Sequence, residues 1–317
     1  EDGRKMSKRL KNYPNPMDVM NQYGADALRL NMLSSPVVRG ENVTFSEKGV
    51  QETMRSVILP LWNSYSFLVT YARLDNWHPD TAEASEQAEH PLDRWIRARL
   101  NHLVRDIRNG LDHCHLQTAA VQFTTFIDDL TNWYIRRSRR RFWKSDNDGD
   151  KLSAYATLHH VLLTLVKALA PFAPFVTETI YLNLRSADMP ESVHLCDYPT
   201  VLETDMDETL ERQMAHTRTA VSLGRYLRSQ ANSKTRQPLR TAILVSMHDN
   251  VRGDLESLKD IVMDELNVKT VEIRANEEDV VHLSAKANFK SLGPKLGKNM
   301  KAAAAKILDL SFEDIQK

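Results

Sequence analysis

Between Phe123 and Tyr134 apolar side chains return every three or four residues, at Phe123, Phe126, Ile127, Leu130, Trp133 and Tyr134. That period belongs to an α-helix with one buried stripe; a strand would throw alternate residues to opposite faces. Three helices are expected in this region, about Leu92 to Asn109, Gln117 to Phe142, which holds this stripe, and Leu152 to Leu169, with another short one from Pro174. Pro91 and Asp93 suit a helix start, because proline is tolerated in the first turn and a carboxylate complements the dipole. Helices that each carry one stripe must bury them against one another, so Leu92–Leu184 is expected to be a bundle. The stripe also sorts the basic run behind it. It continues into Arg137 and Arg141, candidates for structural ion pairs, and it places Trp133 and Tyr134 in the core. Arg136, Arg139, Arg140 and Trp143 project from another face.

The flanks are read in the same way. Met17–Leu33 carries helical spacing after Pro14 and Pro16, and Phe45–Ala72 is a second helical stretch, interrupted at Pro60. Asp75–His90 is acidic and rich in Ala, Glu and Ser, the composition of a surface linker. Val193–Tyr198 is a short strand before Pro199, and Glu203–Gln230 a long amphipathic helix. Strand-like runs at Thr241–Met247 and Val268–Ile273 then flank a helix over Val251–Leu266, which spells a small α/β unit. The expected fold is mainly α, a helical bundle followed by a small α/β C-terminal unit. Its segments are 1–50 (a loop and the helices behind it), 51–186 (the bundle), 187–235 (a connecting segment and long helix) and 236–317 (the α/β domain).

Composition narrows the function classes. Forty-two basic and 42 acidic residues cancel, which argues against a generic polyanion binder and shifts attention to local charge. Cys114 and Cys196 lie far apart without Cys-x-x-Cys spacing, against a disulfide framework or a thiolate zinc site and in favour of a reducing cytoplasm. His113-Cys114-His115 and His159-His160 lack further donors at fixed spacing, so no metal site is expected. The apolar run Val161–Val176 is broken by Lys167, Pro171 and Pro174, as a buried helix and not a membrane span would be. Six basic residues between Arg136 and Lys144 are interleaved with Phe142 and Trp143; guanidinium forks grip phosphates and stack on bases, and aromatic rings supply platforms for unpaired ones. Two more basic stretches stand apart. One holds Arg225, Arg228, Lys234, Arg236 and Arg240. The other, Val280–Leu308, has six lysines and no carboxylate. Each reads equally as a backbone track or as solubilising surface.

Lys5-Met6-Ser7-Lys8-Arg9 places two lysines on a short loop after Gly3. The ammonium is a compact charge on a long stem, suited to neutralising charge on a polyphosphate. The chain opens on Glu1 and contains neither His-x-Gly-His nor a Gly-rich phosphate cradle, so the rest of a nucleotide site is expected upstream in a longer enzyme.

These residues carry a resemblance. The loop, with Tyr23-Gly24-Ala25-Asp26-Ala27-Leu28-Arg29-Leu30 behind it, resembles the second signature of class I aminoacyl-tRNA synthetases. Lys11-Asn12-Tyr13-Pro14, Leu92-Asp93-Arg94-Trp95, the block from Asp128 to Trp143, and Leu169-Ala170-Pro171-Phe172-Ala173-Pro174-Phe175 are similar to the isoleucyl branch of that class; similarity to valyl and leucyl relatives is looser, since their loops usually end in Ser where Arg9 stands. The resemblance implies formation of an isoleucyl-adenylate from isoleucine and ATP with Mg2+, then transfer of the acyl group to tRNA(Ile). It implies Lys8 and Lys5 as catalytic residues, Lys5, Ser7 and Lys8 as ATP contacts, and helices that inspect the anticodon. With the basic block it points to Trp133, Arg136, Arg139, Arg140, Trp143 and Lys144 as tRNA contacts. It further implies a monomer without membrane attachment; the segment alone is expected to bind no cofactor and catalyse nothing. Two alternatives stand beside it: the same region of a valyl-type enzyme, or a helical interaction scaffold whose arginines pair internally.

Overall fold

Asn15 opens the first helix by accepting the Met17 N–H on its side chain at 3.1 Å, with Pro16 in the first position. This helix, α1 (Pro16–Tyr23), ends at Gly24, whose φ of 88° requires glycine and whose N–H closes on Met20 at 2.8 Å; α2 (Ala25–Leu33) starts at once. The helix expected over Met17–Leu33 is thus two. The structure, a computed structural model, describes residues 6, 9, 12–79, 90–144, 149–276 and 286–308. It divides into two compact units, Glu1–Glu211 and Arg212–Lys317.

In the first unit α3 (Glu47–Thr53) continues through a π turn, Met54–Ile58, into α4 (Leu59–Leu74). The interruption expected at Pro60 does not occur. Pro60 follows directly on the widened turn, where the i to i−4 ladder is already suspended and a missing donor costs little. Then come α5 (Pro91–Asp112), α6 (Leu116–Asp128), a second π turn (Asp129–Ile135), α7 (Arg136–Phe142), α8 (Gly149–Leu169) and α9 (Pro174–Leu184). Their facing stripes make the core: Trp95, Ile96, Phe123, Phe126, Leu130, Tyr134, Tyr155, Leu158 and Phe172 are all buried. Helices α5 and α6 meet closely at Gly110, where a Cβ would lie 2.9 Å from that of Ala119.

Two expectations fail here for physical reasons. Val193–Leu195 is a 3-10 turn, not the strand expected over Val193–Tyr198. Its backbone is committed to side chains: Glu178 accepts the Val193 N–H at 2.8 Å and Ser192 caps His194 at 3.2 Å. The stretch expected as a surface linker is anchored at its head. Asp75 pairs with buried Lys151 at 2.7 Å and accepts the Tyr155 hydroxyl at 2.5 Å, while Trp77 stacks on Tyr155 at 5.4 Å. Residues 80–89 of that linker lie outside the described residues.

Burial, helped by the Arg97 guanidinium, holds the His160 imidazole on α8 at about 4, against its usual 6.5. The unfolded chain takes up a proton below pH 6.5 that the folded chain refuses until about 4, so stability falls as pH drops through that window. The urea midpoint of the first unit is expected to decline from pH 6.5 to 4, and His160→Gln should flatten part of that decline. A slope untouched by the substitution refutes the assignment.

The second unit holds most of α10 (Glu208–Gln230), in which the division falls, then β1 (Leu239–Val245), α11 (Asp249–Ser257), α12 (Lys259–Leu266) and β2 (Val268–Arg274). The strands pair in parallel, Leu239 opposite Val268 through Val245 opposite Arg274, joined by the helical crossover that parallel pairing demands. The expected α/β unit is present, with its helix divided at Leu258. Helix α10 lies close over α12 at Gly224, where a Cβ would stand 2.6 Å from Leu266 Cδ1. Helix α10 and β1 border an apolar cavity of about 660 Å³, with Leu223, Leu227 and Ile243 in its lining. Then α13 (Phe289–Leu296) packs against α14 (Met300–Leu308) across a short 3-10 turn, Gly297–Asn299.

Candidate nucleic-acid interface

Helix α7 is the tail of a rod that begins as α6, and the π turn between them decides which arginines face where. One extra residue in that turn advances the phase of everything after it. Trp133, Tyr134 and Ile135 are all buried, a wider arc than a single helical stripe covers, and Ser138, Arg141 and Phe142 follow them inward. The turn is held by Asp129, buried and paired with Arg99 Nε at 3.0 Å, and by the Thr131 hydroxyl, which donates to the Ile127 carbonyl at 2.7 Å.

Beneath α7 sits a buried ionic network. Arg141 donates from Nη1 and Nη2 to both carboxylate oxygens of Asp93 at 2.7 Å; the Asp93 side chain is 0% exposed and that of Arg141 7%. Tyr134 donates its hydroxyl to Asp93 at 2.8 Å and Ser153 does so at 3.1 Å, so the carboxylate has four donors. Arg141 directs two further donors at Asp150, through Nε to the carboxylate at 2.7 Å and through Nη2 to the backbone carbonyl at 3.0 Å. Burial alone would ease a proton off the guanidinium, but the paired Asp93 overrides it and raises the Arg141 pKa. Burial, with Asp93 beside it, pushes the Tyr134 phenol well up, so it remains a donor.

The candidate contacts divide by burial. Trp133, read as both core and RNA contact, is 5% exposed; a ring so covered offers no face for a base to stack on, and the core reading stands. The guanidinium groups of Arg136 and Arg137 lie over that ring at 5.7 Å, and Arg136 Nε donates to the Asn132 carbonyl at 2.8 Å. Arg139 and Arg140 are exposed. Trp143 is 58% exposed while its indole N–H donates to the Tyr71 hydroxyl at 2.8 Å, which holds the ring at the surface. Lys144 is exposed but pairs with Asp150 at 3.0 Å, so part of its charge is spent. Burial would raise the Asp150 pKa; the hydrogen bond from Lys144 and the charge of Arg141 win and hold it below 3.8. Lys5, Ser7 and Lys8 lie outside the described residues.

The second basic stretch is partly structural. Arg228 is buried and its guanidinium donates to five acceptors, among them the carbonyls of Gln237 at 3.0 Å and Leu266 at 2.7 Å, which staples the start of β1 to the end of α12. Arg225 pairs with Glu265. Lys234, Arg236 and Arg240 stay exposed.

One contact in the first unit was missed from sequence. The Asp26 carboxylate accepts the Val176 N–H at 2.6 Å and the Phe175 N–H at 3.3 Å, capping α9, which carries no side-chain cap of its own. Arg29 adds a hydrogen bond to the Pro171 carbonyl at 3.1 Å. The signal was there: a proline-led helix without a Ser, Thr, Asp or Asn at its head needs an acid from elsewhere.

Residues 93–243 match the anticodon-binding domain of tRNA ligases, and residues 1–44 match class I tRNA synthetases of the I, L, M and V group. The matched span 93–243 includes the α7 face and its ionic floor. The chain belongs to the class I aminoacyl-tRNA synthetases. Within that class it falls in the isoleucyl branch. It is 48% identical over 303 residues to isoleucine-tRNA ligase of Protochlamydia amoebophila, covering 96% of this chain and 29% of that one. The corresponding enzyme of Treponema pallidum is 44% identical, covering 99% and 30%, and that of Chlamydia caviae 43% identical, covering 100% and 30%. The chain therefore spans about 30% of the length of the curated relatives it matches.

Proposed function

We propose that this chain is the anticodon-engaging portion of an isoleucine-tRNA ligase, and that the outer face of α7 grips tRNA(Ile) through Arg139, Arg140 and Trp143, with Arg136 at its margin. The observation that carries this is the sorting of a single basic run: Arg141 is spent on a saturated internal network, while Arg139 and Arg140 are turned outward beside a pinned, exposed tryptophan. Guanidinium groups next to an indole suit the unpaired bases and phosphates of a loop. In the intact enzyme Lys5, Ser7 and Lys8 contact the triphosphate of ATP, which arrives with Mg2+, and Lys8 with Lys5 neutralises charge on the pyrophosphate as the isoleucine carboxylate displaces it from the α-phosphorus to form the adenylate. The enzyme acts as a cytoplasmic monomer. Among the described residues α8 alone is both long and apolar enough to cross a membrane, and more than half of it is buried inside the protein.

Arg139→Ala and Arg140→Ala are each expected to weaken tRNA(Ile) binding by about 1–3 kcal/mol, roughly 5- to 160-fold. Arg139→Ala should not move the urea midpoint, because that side chain lies on the solvent face. For wild type, log affinity should fall with log salt at a slope of about −0.7 per contacted phosphate in unpaired RNA. Filter binding at several salt concentrations reads both quantities. Undiminished affinity in both variants removes this face from the interface.

A further inference from the structure

The last described stretch, Lys286–Leu308, carries Lys286, Lys290, Lys295, Lys298, Lys301 and Lys306, with no carboxylate and no arginine among its residues. All six lysines are exposed. Among the described residues none of them has an ion-pair partner. In a chain whose charges sum to zero, six cations within 286–308, four on the two helices, one in the turn between them and one just before α13, make a strong local field. Their chemistry differs from that of the α7 face. Lysine is a hydrated point charge on a flexible stem, without the planar fork that reads a base edge, so a lysine-only surface tracks phosphate without regard to sequence. The stretch lies outside residues 93–243, which match the anticodon-binding domain.

We infer that the α13–α14 hairpin is a second RNA contact, one that engages the phosphate backbone of double-helical RNA independently of sequence. This rests on the RNA-binding reading of the chain and extends it from an unpaired loop to a duplex. The hairpin also exposes Phe289 and Leu308, as a helix lying on an anionic membrane would. Duplex RNA is favoured because the chain belongs to a family that handles tRNA and because the lysines are spread over both helices and the turn between them.

The test uses the whole chain and a variant with Lys290, Lys295, Lys298 and Lys301 all changed to Gln, probed with a short RNA duplex of arbitrary sequence and with tRNA(Ile). For the duplex, the slope of log affinity against log salt should shrink by about 0.9 per contact removed, up to about 3.6 for four contacts. Changing the same four lysines to Arg should restore it. An unchanged slope overturns the inference, and so does a charge-dependent affinity for phosphatidylserine vesicles that exceeds the affinity for the duplex. Loss of any preference for tRNA(Ile) over other tRNAs, with duplex binding intact, sinks the anticodon reading and leaves the hairpin's role standing.

Discussion

Asp93→Ala is expected to lower the stability of the first unit by about 3–5 kcal/mol, the cost of stripping one partner from a buried ion pair. The deletion leaves Arg141, 7% exposed, with Asp150 as its remaining carboxylate, and strands the Tyr134 and Ser153 hydroxyls that donated to Asp93. The pair itself contributes far less than its loss costs, because two charges were desolvated to make it. Asp93→Leu combined with Arg141→Met should therefore recover most of the loss, and the two changes should be strongly non-additive. Urea unfolding of wild type, Asp93→Leu, Arg141→Met and the double variant measures this coupling. If Asp93→Ala costs under about 1 kcal/mol, the network is a surface ornament of the kind that contributes little, and α7 is held by packing alone.

The second large effect lies at the other end of the chain. In the complete enzyme Lys8→Ala should slow isoleucyl-adenylate formation roughly 10²–10³-fold, the range for removing one well-placed donor from developing charge. Affinity for tRNA(Ile) should stay within a factor of about two, because a residue that acts only on the leaving phosphate contributes nothing to a tRNA contact. Lys5→Ala should be milder, since the proposed role of Lys5 is only to assist Lys8. Isoleucine-dependent exchange of pyrophosphate into ATP isolates the first half-reaction. Exchange at the wild-type rate would remove Lys8 from the chemistry.

The sequence carried the helical architecture well because amphipathic stripes are local. The strands at Leu239–Val245 and Val268–Arg274 were read within two residues of their bounds, from short β-branched runs on either side of a helix. The role of Arg141 was legible too, since it continued the apolar stripe and so had to be paired. Its partner was not legible, because Asp93 lies 48 residues away and looked like an ordinary first-turn carboxylate. Both π turns were invisible: Met54–Ile58 and Asp129–Ile135 use ordinary helix residues, and only in the second does a run of three consecutive buried side chains register the extra residue. The anchoring of Asp75 and Trp77 was missed because composition alone had marked them as linker. In each case what sequence could not supply was a contact between distant segments.

Asp26 and Arg29 tie the helix behind the lysine loop to the head of α9. Two motifs almost 150 residues apart are therefore one mechanical part. A chimera that took the Tyr23–Leu30 stretch from a relative with a neutral residue at position 26, and kept its own α9, would lose the cap on that helix and with it the rivet between the two segments. Domain exchange among these enzymes should therefore cut so that both stretches travel together.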